Sequence, residues 1–518
     1  MSPHHSDDPD PSQEAVLQFL ADARTHGLSE PVERVDTAGA VVFLAGADAY
    51  KVKRAVKFPF MDLSTLDKRH EACEAEIAIN RASAPGIYLS TLPVTRQGRR
   101  FALRGDGEIV EWVIHMRRFD ENATVNCVAD RGGLSDAIVD KLALAVRRSH
   151  ARAPFRDAAR AARALETYVE QNSAAFAEWS DLFDPSTARK LTRDSRLGFA
   201  VLRPVLLKRG EAGLVRRCHG DLHLRNIVLI DGEPTLFDAV EFSDEIASGD
   251  VLYDLAFLLM DLEERGLRAS ANRLFNRYLA PEPPEALTGL IALPLFMSLR
   301  SAIRAKVEAA GADRLEGKKR DEARALARRY FDRAVRFLAY VPPRLVAVGG
   351  LSGVGKSALA RALAPDIGRA PGALWLRSDV ERKEMFAVEE TVRLPASAYG
   401  GDVTREVYER LLDKARIALR AGQAVLIDAT FATAAERAAA AGAAMEVGVA
   451  FTGLFLDAPL ATRLERIGSR RDDASDADAG VAHRQTVEPV GEKGWATLDA
   501  SGSLSETTKF ARARLKGA

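Results

Sequence analysis

The residues of this chain whose types and spacing could most directly do chemistry are Gly350-Leu351-Ser352-Gly353-Val354-Gly355-Lys356-Ser357. They fit the pattern G-x-x-x-x-G-K-[ST], which wraps backbone amides around a phosphate chain. Residues 345–348 before it read as a short buried strand and residues 358–363 after it as a helix, the order the motif needs. In that setting the amides of Gly350, Ser352, Gly353, Val354, Gly355, Lys356, Ser357 and Ala358 face a β-phosphate, with the helix N-terminus behind them. Lys356 can bridge the β- and γ-phosphates as a catalytic cation, and the Ser357 hydroxyl can sit on Mg²⁺. The stretch predicts a nucleoside triphosphate site, with ATP and Mg²⁺ as the expected ligands.

A second stretch has the residue types for the same chemistry by another route. Cys218-His219-Gly220-Asp221-Leu222-His223-Leu224-Arg225-Asn226 runs into an apolar segment, 227–230, then a turn at Asp231-Gly232-Glu233-Pro234, then Thr235-Leu236-Phe237-Asp238. A loop carboxylate can accept the proton of a hydroxyl nucleophile, while an amide oxygen and a second carboxylate hold Mg²⁺ against a triphosphate. Asp221 is therefore a candidate catalytic residue, and Asn226 and Asp238 are candidate metal ligands, with Asp238 expected at the end of a strand. His150, His219 and Asp254 read as supports of the loop, and Cys218 as core.

Acceptor-side candidates follow the phosphate loop. Strand 373–376 ends in Arg377-Ser378-Asp379-Val380-Glu381-Arg382, and ligands of a parallel sheet bind outside the carboxyl ends of its strands. Asp379 can orient or deprotonate an acceptor hydroxyl, and Arg382, three residues on and on the same helix face, can hold an anionic group of the acceptor. Strand 424–430 is apolar until Asp428 and Thr430, which puts Asp428 where it would hold an Mg²⁺ water or the acceptor. A fourth strand is expected over 447–456 as the last of the core. Arg466, Arg470 and Arg471 follow it, where a mobile lid could bring positive charge onto a transferring phosphate.

The remaining chain has to place these groups. A helix is expected over about 14–28, then short strands over 32–35, 40–44 and 49–53. Side chains alternate along the third strand, so Lys51 and Lys53 share one face and Tyr50 and Val52 the other. A helical pattern over 64–83 carries Glu71, Glu74 and Glu76, and strands follow at 88–94, 101–103 and 111–116. From about 134 to 261 the pattern is helical apart from the Asp221 stretch, and it is helical again from 283 to 340. Val341-Pro342-Pro343 stops the last helix, so the expected domains are 14–340 and 344–510.

Composition narrows the classes. At 518 residues the chain exceeds one ordinary core, and 47% apolar with 28% charged residues is the make-up of a soluble globular protein. Lys plus Arg equals Asp plus Glu at 73 each, which argues against a nucleic-acid partner. Cys73, Cys127 and Cys218 are too scattered for a disulfide framework or metal cluster, which suits a cytoplasmic location. No run of 18 uninterrupted apolar residues suggests a membrane span, and the polar stretch 1–13 reads as a disordered lead-in rather than a signal peptide.

The Asp221 stretch resembles the catalytic loop of aminoglycoside phosphotransferases and related small-molecule kinases, which share the protein-kinase fold. The likeness takes in the loop, Phe237-Asp238, the lysine-bearing strand before it and the helix after it. It implies that Asp221 is the base, Asn226 and Asp238 the metal ligands, Lys51 the lysine on the α- and β-phosphates and Glu76 its helix partner, with Lys53 the alternative to Lys51. The glycine-rich nucleotide loop expected before Lys51 is reduced to Gly39 and Gly46. The later half resembles nucleoside-monophosphate-kinase-like P-loop proteins, close to gluconate- and shikimate-kinase-like enzymes and to polynucleotide-kinase-like ATPases grouped as an AAA-type family. That likeness implies acceptor-side roles for Asp379 and Arg382 and lid roles for Arg466, Arg470 and Arg471. The order of the halves is similar to bacterial proteins described as bifunctional aminoglycoside phosphotransferase/ATP-binding proteins.

The expected architecture is an α+β protein-kinase-like domain followed by an α/β P-loop NTPase domain, a three-layer sandwich around a parallel sheet. The expected activity is ATP- and Mg²⁺-dependent phosphoryl transfer to a small-molecule hydroxyl acceptor, with two candidate sites in one chain. One rival is a regulatory protein in which a non-catalytic kinase-like domain binds a ligand and gates a P-loop ATPase. The other is a polynucleotide 5′-hydroxyl kinase, which the neutral charge and the lack of an aromatic and basic stripe argue against.

Overall fold

The structure is a computed structural model that describes residues 11–37, 39–58, 61–468 and 474–516. The chain forms two compact units, Met1–Ala164 with Gly213–Leu258, and Leu165–Ala212 with Leu259–Ala518. The expected boundary at 340–344 falls within the second unit.

In the first unit, an antiparallel sheet of six strands is built in the order Glu33–Asp36, Ala40–Ala45, Asp48–Lys53, Glu108–Arg117, Tyr88–Gln97, Arg100–Leu103. Alternation along Asp48–Lys53 decides what each face does. Val52 pairs with Val41 and Val113, and these pack with Phe43, Leu92 and Val94 against Val16, Leu17 and Leu20 of helix Pro11–Ala21. Each such side chain contributes about 1.5–3 kcal/mol on burial. Lys51, paired with Ile114, points to the opposite face, where Ile114 packs with Cys73 and Ile77 of helix Leu66–Asn80. That helix starts at Thr65, whose hydroxyl accepts from the Lys68 amide. Downstream, Ile227–Ile230 pairs with Glu233–Leu236 in a hairpin whose turn residues Asp231 and Gly232 have φ of 52° and 77°, both left-handed as a two-residue turn of this hand requires. The second strand ends at Leu236 rather than at Asp238. Asp238 lies beyond it at φ 59°, a kink that turns its carboxylate away from the ladder direction.

The second unit begins with long helices, among them Pro185–Glu211, Arg268–Leu279, Leu293–Ala312 and Gly317–Leu338. The segment Pro284–Ala312 is long and apolar enough to cross a membrane by length and composition, but 72% of its apolar window is buried inside the protein, as in a core helix. Next comes a five-stranded parallel sheet in the order Leu374–Arg377, Val425–Asp428, Arg344–Gly349, Ala450–Asp457, Trp495–Asp499. Its central strand is apolar and buried from Leu345 to Val348, as a strand covered on both faces must be. Val346, Val348, Leu426, Leu454 and Leu456 pack with Leu359 and Leu363 of helix Lys356–Leu363. The strand Trp495–Asp499 and the helix Leu504–Lys516 extend the core past the fourth strand, which was expected to be its last. The missed strand is five residues long and mostly half-exposed, so it lacks the apolar run that marks its neighbours. The fold is a protein-kinase-like domain followed by a P-loop domain.

Candidate active sites

In the first unit, the Lys51 ammonium donates to Glu76 Oε1 at 2.8 Å and to Asp238 Oδ1 at 2.7 Å. Lys53, on the same face, pairs with the other Glu76 oxygen and with Glu241. Both lysines therefore meet the fully buried Glu76, and Lys51 is the one placed on Asp238. Burial alone would lower the Lys51 pKa, but the Asp238 and Glu76 carboxylates outweigh it and hold the ammonium well above the ordinary lysine value. Lys51 in turn holds the Asp238 carboxyl below its usual value, against burial. Burial, with Glu76 beside it, pushes Glu241 up despite Lys53.

The catalytic-loop candidates are held from behind. Asn226 Nδ2 donates to the Asp221 carbonyl and to Asp221 Oδ2, each at 3.0 Å, and His223 Nε2 lies 3.3 Å from the same carboxylate oxygen. Asp254 accepts from the amides of His219 (3.3 Å) and Gly220 (2.9 Å), and His150 Nε2 lies 3.1 Å from it. Gly220 has φ 83°, and a Cβ there would come within 3.1 Å of Ala247 Cα. This position needs glycine. His219 is buried and its Nε2 bonds the Phe237 carbonyl at 2.9 Å, tying the loop to the residue before Asp238; burial lowers its pKa. His150, His219 and Asp254 thus brace the loop, as their sequence context suggested. Between the first two sheet strands the Thr37 amide donates to the Ala40 carbonyl at 2.9 Å.

In the second unit, the phosphate loop leaves the central strand and enters helix Lys356–Leu363. Gly350, Gly353 and Gly355 have φ of 135°, 85° and 105°; a Cβ would stand 2.6 Å from the Leu456 carbonyl oxygen at Gly350 and 2.4 Å from that of Arg463 at Gly353. Only glycines let the backbone curl into this cradle. The Ser352 amide donates to Gln485 Oε1 at 2.9 Å, and Lys356 Nζ to the Leu351 carbonyl at 3.3 Å. A cavity of about 980 Å³ is lined by the loop together with Lys356, Ser357, Arg377, Asp379, Arg382 and Asp428. Asp428 ends its strand 4% exposed, and its Oδ2 accepts no hydrogen bond among the described residues. Burial raises its pKa against Arg377, Lys356 and a hydrogen bond from Ser357. A buried carboxylate oxygen beside the Ser357 hydroxyl is the donor set that Mg²⁺ would take, so the residues present fit the ion.

Another part of the cavity wall carries a hydrogen-bonded network. Asp476 accepts from the Leu394 amide (2.9 Å), Tyr399 OH (2.6 Å) and the buried Lys383 (3.0 Å). Arg382 is 6% exposed and donates to the Ala398 carbonyl at 2.6 Å and Thr404 Oγ1 at 3.3 Å, and burial lowers its pKa.

Residues 84–288 match the phosphotransferase enzyme family, and residues 345–488 match a family described as an AAA domain. Uncharacterized proteins of Mycobacterium tuberculosis and Mycobacterium bovis are each 30% identical to this chain over 455 residues, spanning 86% of it and 88% of theirs. The chain belongs to this family of kinase-like and P-loop domain fusions. Similar solved structures include a choline/ethanolamine kinase family protein from Mesorhizobium loti, 16% identical over 63% of this chain and 98% of that one, with a TM-score of 0.36. Another is the Mycobacterium tuberculosis APS kinase CysC in complex with AMPPNP and APS, 22% identical over 34% of this chain and 98% of that one, with a TM-score of 0.26.

The residues nominated by sequence in this fusion protein fall into two constellations. Lys51, Glu76 and Asp238 share one ion cluster, and Asp221 and Asn226 share one hydrogen-bonded loop. Lys356, Ser357, Asp379, Arg382, Asp428 and Arg466 line one cavity. Arg466 is spent on the carbonyls of Val354 (3.0 Å), Ala500 (2.8 Å) and Gly502 (2.9 Å), which ties it to the floor of the loop. Arg470 and Arg471 lie outside the described residues. Glu241 and Arg377 went unassigned in the sequence. Glu241 is three residues past Asp238, but nothing in its neighbourhood signals a lysine 188 positions earlier.

Proposed function

We propose that the protein transfers the γ-phosphoryl group of ATP, with Mg²⁺, to a small hydroxylated acceptor. The observation that carries this reading is the single cavity in which the glycine cradle, Lys356, Ser357 and Asp428 face Asp379. There the loop amides and Lys356 would hold the β- and γ-phosphates, and Asp379 would orient the acceptor hydroxyl and take its proton. Ser357 and Asp428 would hold Mg²⁺, whose charge offsets that of the phosphates when it is bound. In the kinase-like half, Lys51 with Glu76 would bind phosphate, Asp221 would act on a second acceptor, and Asn226 with Asp238 would hold metal. The domains are taken as 14–340 and 344–510, and no membrane or nucleic-acid partner is invoked.

A second reading has an observation of its own. The stretch before Lys51, with Gly39 and Gly46 as its glycines, and the Lys51–Asp238 ion pair favour a kinase-like half that binds a ligand and gates the P-loop half. Mg·ATP consumption by the purified chain separates the two, run with and without sugars, polyols, aminoglycosides, nucleosides and 5′-hydroxyl oligonucleotides, beside Asp221→Ala and Lys356→Ala. Turnover stimulated by one compound and lost in Lys356→Ala supports transfer at the P-loop site. Loss only in Asp221→Ala moves the chemistry to the kinase-like half. Basal hydrolysis that no compound stimulates, lost only in Lys356→Ala, leaves the gating reading ahead.

A further inference from the structure

We propose that Arg377 is a catalytic residue of the P-loop site, a guanidinium that acts with Lys356 on the phosphoryl group in transfer, and that Asn276 is the residue that positions it. The proposal rests on phosphoryl transfer at that site. Leu374–Arg377 is the edge strand of the parallel sheet, and an edge leaves a row of peptide groups without a strand partner. Here a helix supplies the partner. Asn276, on helix Arg268–Leu279, accepts from the Trp375 amide at 2.6 Å and donates to the Ala373 carbonyl at 3.1 Å. Asn272, one turn earlier and 4% exposed, donates to the same carbonyl at 3.0 Å. One side-chain amide thus takes both the donor and the acceptor that another strand would have met.

Two residues past the held Ala373–Trp375 step, the strand delivers Arg377. Its guanidinium lies 5.0 Å from the Trp375 ring centroid, with Nη2 3.5 Å from Ser357 Oγ and Nε 3.7 Å from Asp428 Oδ2. It therefore borders the two groups that would hold the metal, on the wall facing the phosphate loop. The described arginines nominated from the sequence for this site bond elsewhere in the protein: Arg466 to three backbone carbonyls, Arg382 to the Ala398 carbonyl and Thr404. The same helix is anchored by Arg268 on the Pro365 carbonyl (3.1 Å) and Asp366 (3.3 Å) and by an Arg277–Glu390 ion pair. It lies within the 84–288 stretch that matches the phosphotransferase family, so a helix of that stretch sets the edge geometry of the P-loop site.

In the step itself the acceptor oxygen forms a bond to the γ-phosphorus while the bond from that phosphorus to the β–γ bridging oxygen breaks, its electron pair leaving with ADP. The hydroxyl proton passes to the Asp379 carboxylate. Negative charge on the γ-phosphoryl oxygens and on the leaving oxygen is what the Arg377 guanidinium would meet, without giving up a proton.

The test uses the full chain and two readouts, Mg·ATP turnover and equilibrium binding of a fluorescent ATP analogue. Arg377→Ala is expected to lower kcat by about 10²- to 10³-fold while analogue affinity stays within about 2-fold, with part of the rate restored by millimolar guanidinium ion. Asn276→Leu is expected to lower kcat by about 10-fold at unchanged KM for ATP, with Asn276→Asp, which keeps only the acceptor for the Trp375 amide, intermediate. Wild-type kcat in Arg377→Ala, or an affinity loss equal to the rate loss with no guanidinium rescue, would overturn the role of Arg377. An Asn276→Leu variant whose rate falls only in step with its folded fraction would overturn the positioning role. Wild-type turnover in Lys356→Ala would remove phosphoryl transfer at this site, and the role of Arg377 with it.

Discussion

Lys51 and Asp238 stand 187 residues apart in the chain and meet at 2.7 Å, with Glu76 Oε1 2.8 Å from the same ammonium. A strand, a helix and a kinked loop are thereby locked to one charge. Lys53 and Glu241 extend the lock beside it. The buried Lys53 and the half-buried Lys51 both depend on Glu76, and its removal leaves them with fewer partners than their desolvation requires.

Glu76→Gln is therefore expected to destabilise the first unit by about 3 kcal/mol, the scale for breaking a buried ion pair on one side. Thermal and urea unfolding of the full chain, followed by a probe in that unit, would show it. An unchanged midpoint would mean that the cluster adds nothing net.

Acid should weaken the same cluster through Asp238. Lys51 holds the folded-state pKa of Asp238 below the ordinary 3.8. Its stabilising contribution is thus present in full above the unfolded value and is lost as pH falls through the depressed one. Asp238→Asn should flatten stability against pH below about 4, relative to the parent chain. Parallel acid limbs for the two proteins would count against the pairing.

Asp428 carries the opposite sign. Burial raises its folded-state pKa above 3.8, so the site costs stability as pH climbs from that value through the raised one. Asp428→Asn is expected to raise the Mg²⁺-free melting point, by about 1 kcal/mol equivalent, while lowering turnover by about 10²-fold. A variant that is less stable and still active would contradict both halves of the expectation.

Asp254 gives the sharpest test of the loop brace. Its carboxylate accepts from two consecutive loop amides and faces His150, all buried. Asp254→Ala should cost more than 2 kcal/mol, because two buried N–H groups and a histidine lose their acceptor together. Amide exchange at His219 and Gly220 should quicken more than in the hairpin beside them. Equal exchange throughout would show that the loop is held by other contacts.

The candidate residues of each site were legible in the chain wherever their geometry is local. The Gly350–Ser357 spacing can close around a phosphate only with glycines at positive φ, and three of the loop's residues adopt it. The five-residue step from Asp221 to Asn226 likewise brings amide to carboxylate within one loop. Period-two alternation put Lys51 and Lys53 on one face, but it left both open as the candidate phosphate-binding lysine. Contact of Lys51 with Asp238 separated them, because only tertiary packing decides which end of a strand reaches a loop 187 residues away. The same limit hid Glu241, whose raised pKa comes from burial against Glu76. It also hid the half-exposed edge strand Trp495–Asp499, which lacks a long apolar run, and the hydrogen bonds from Asn276 to the opposite edge. Motif spacing is written in covalent geometry and survives in the sequence; the pairing of distant charges and the covering of sheet edges are decided by packing, which the folded chain alone supplies.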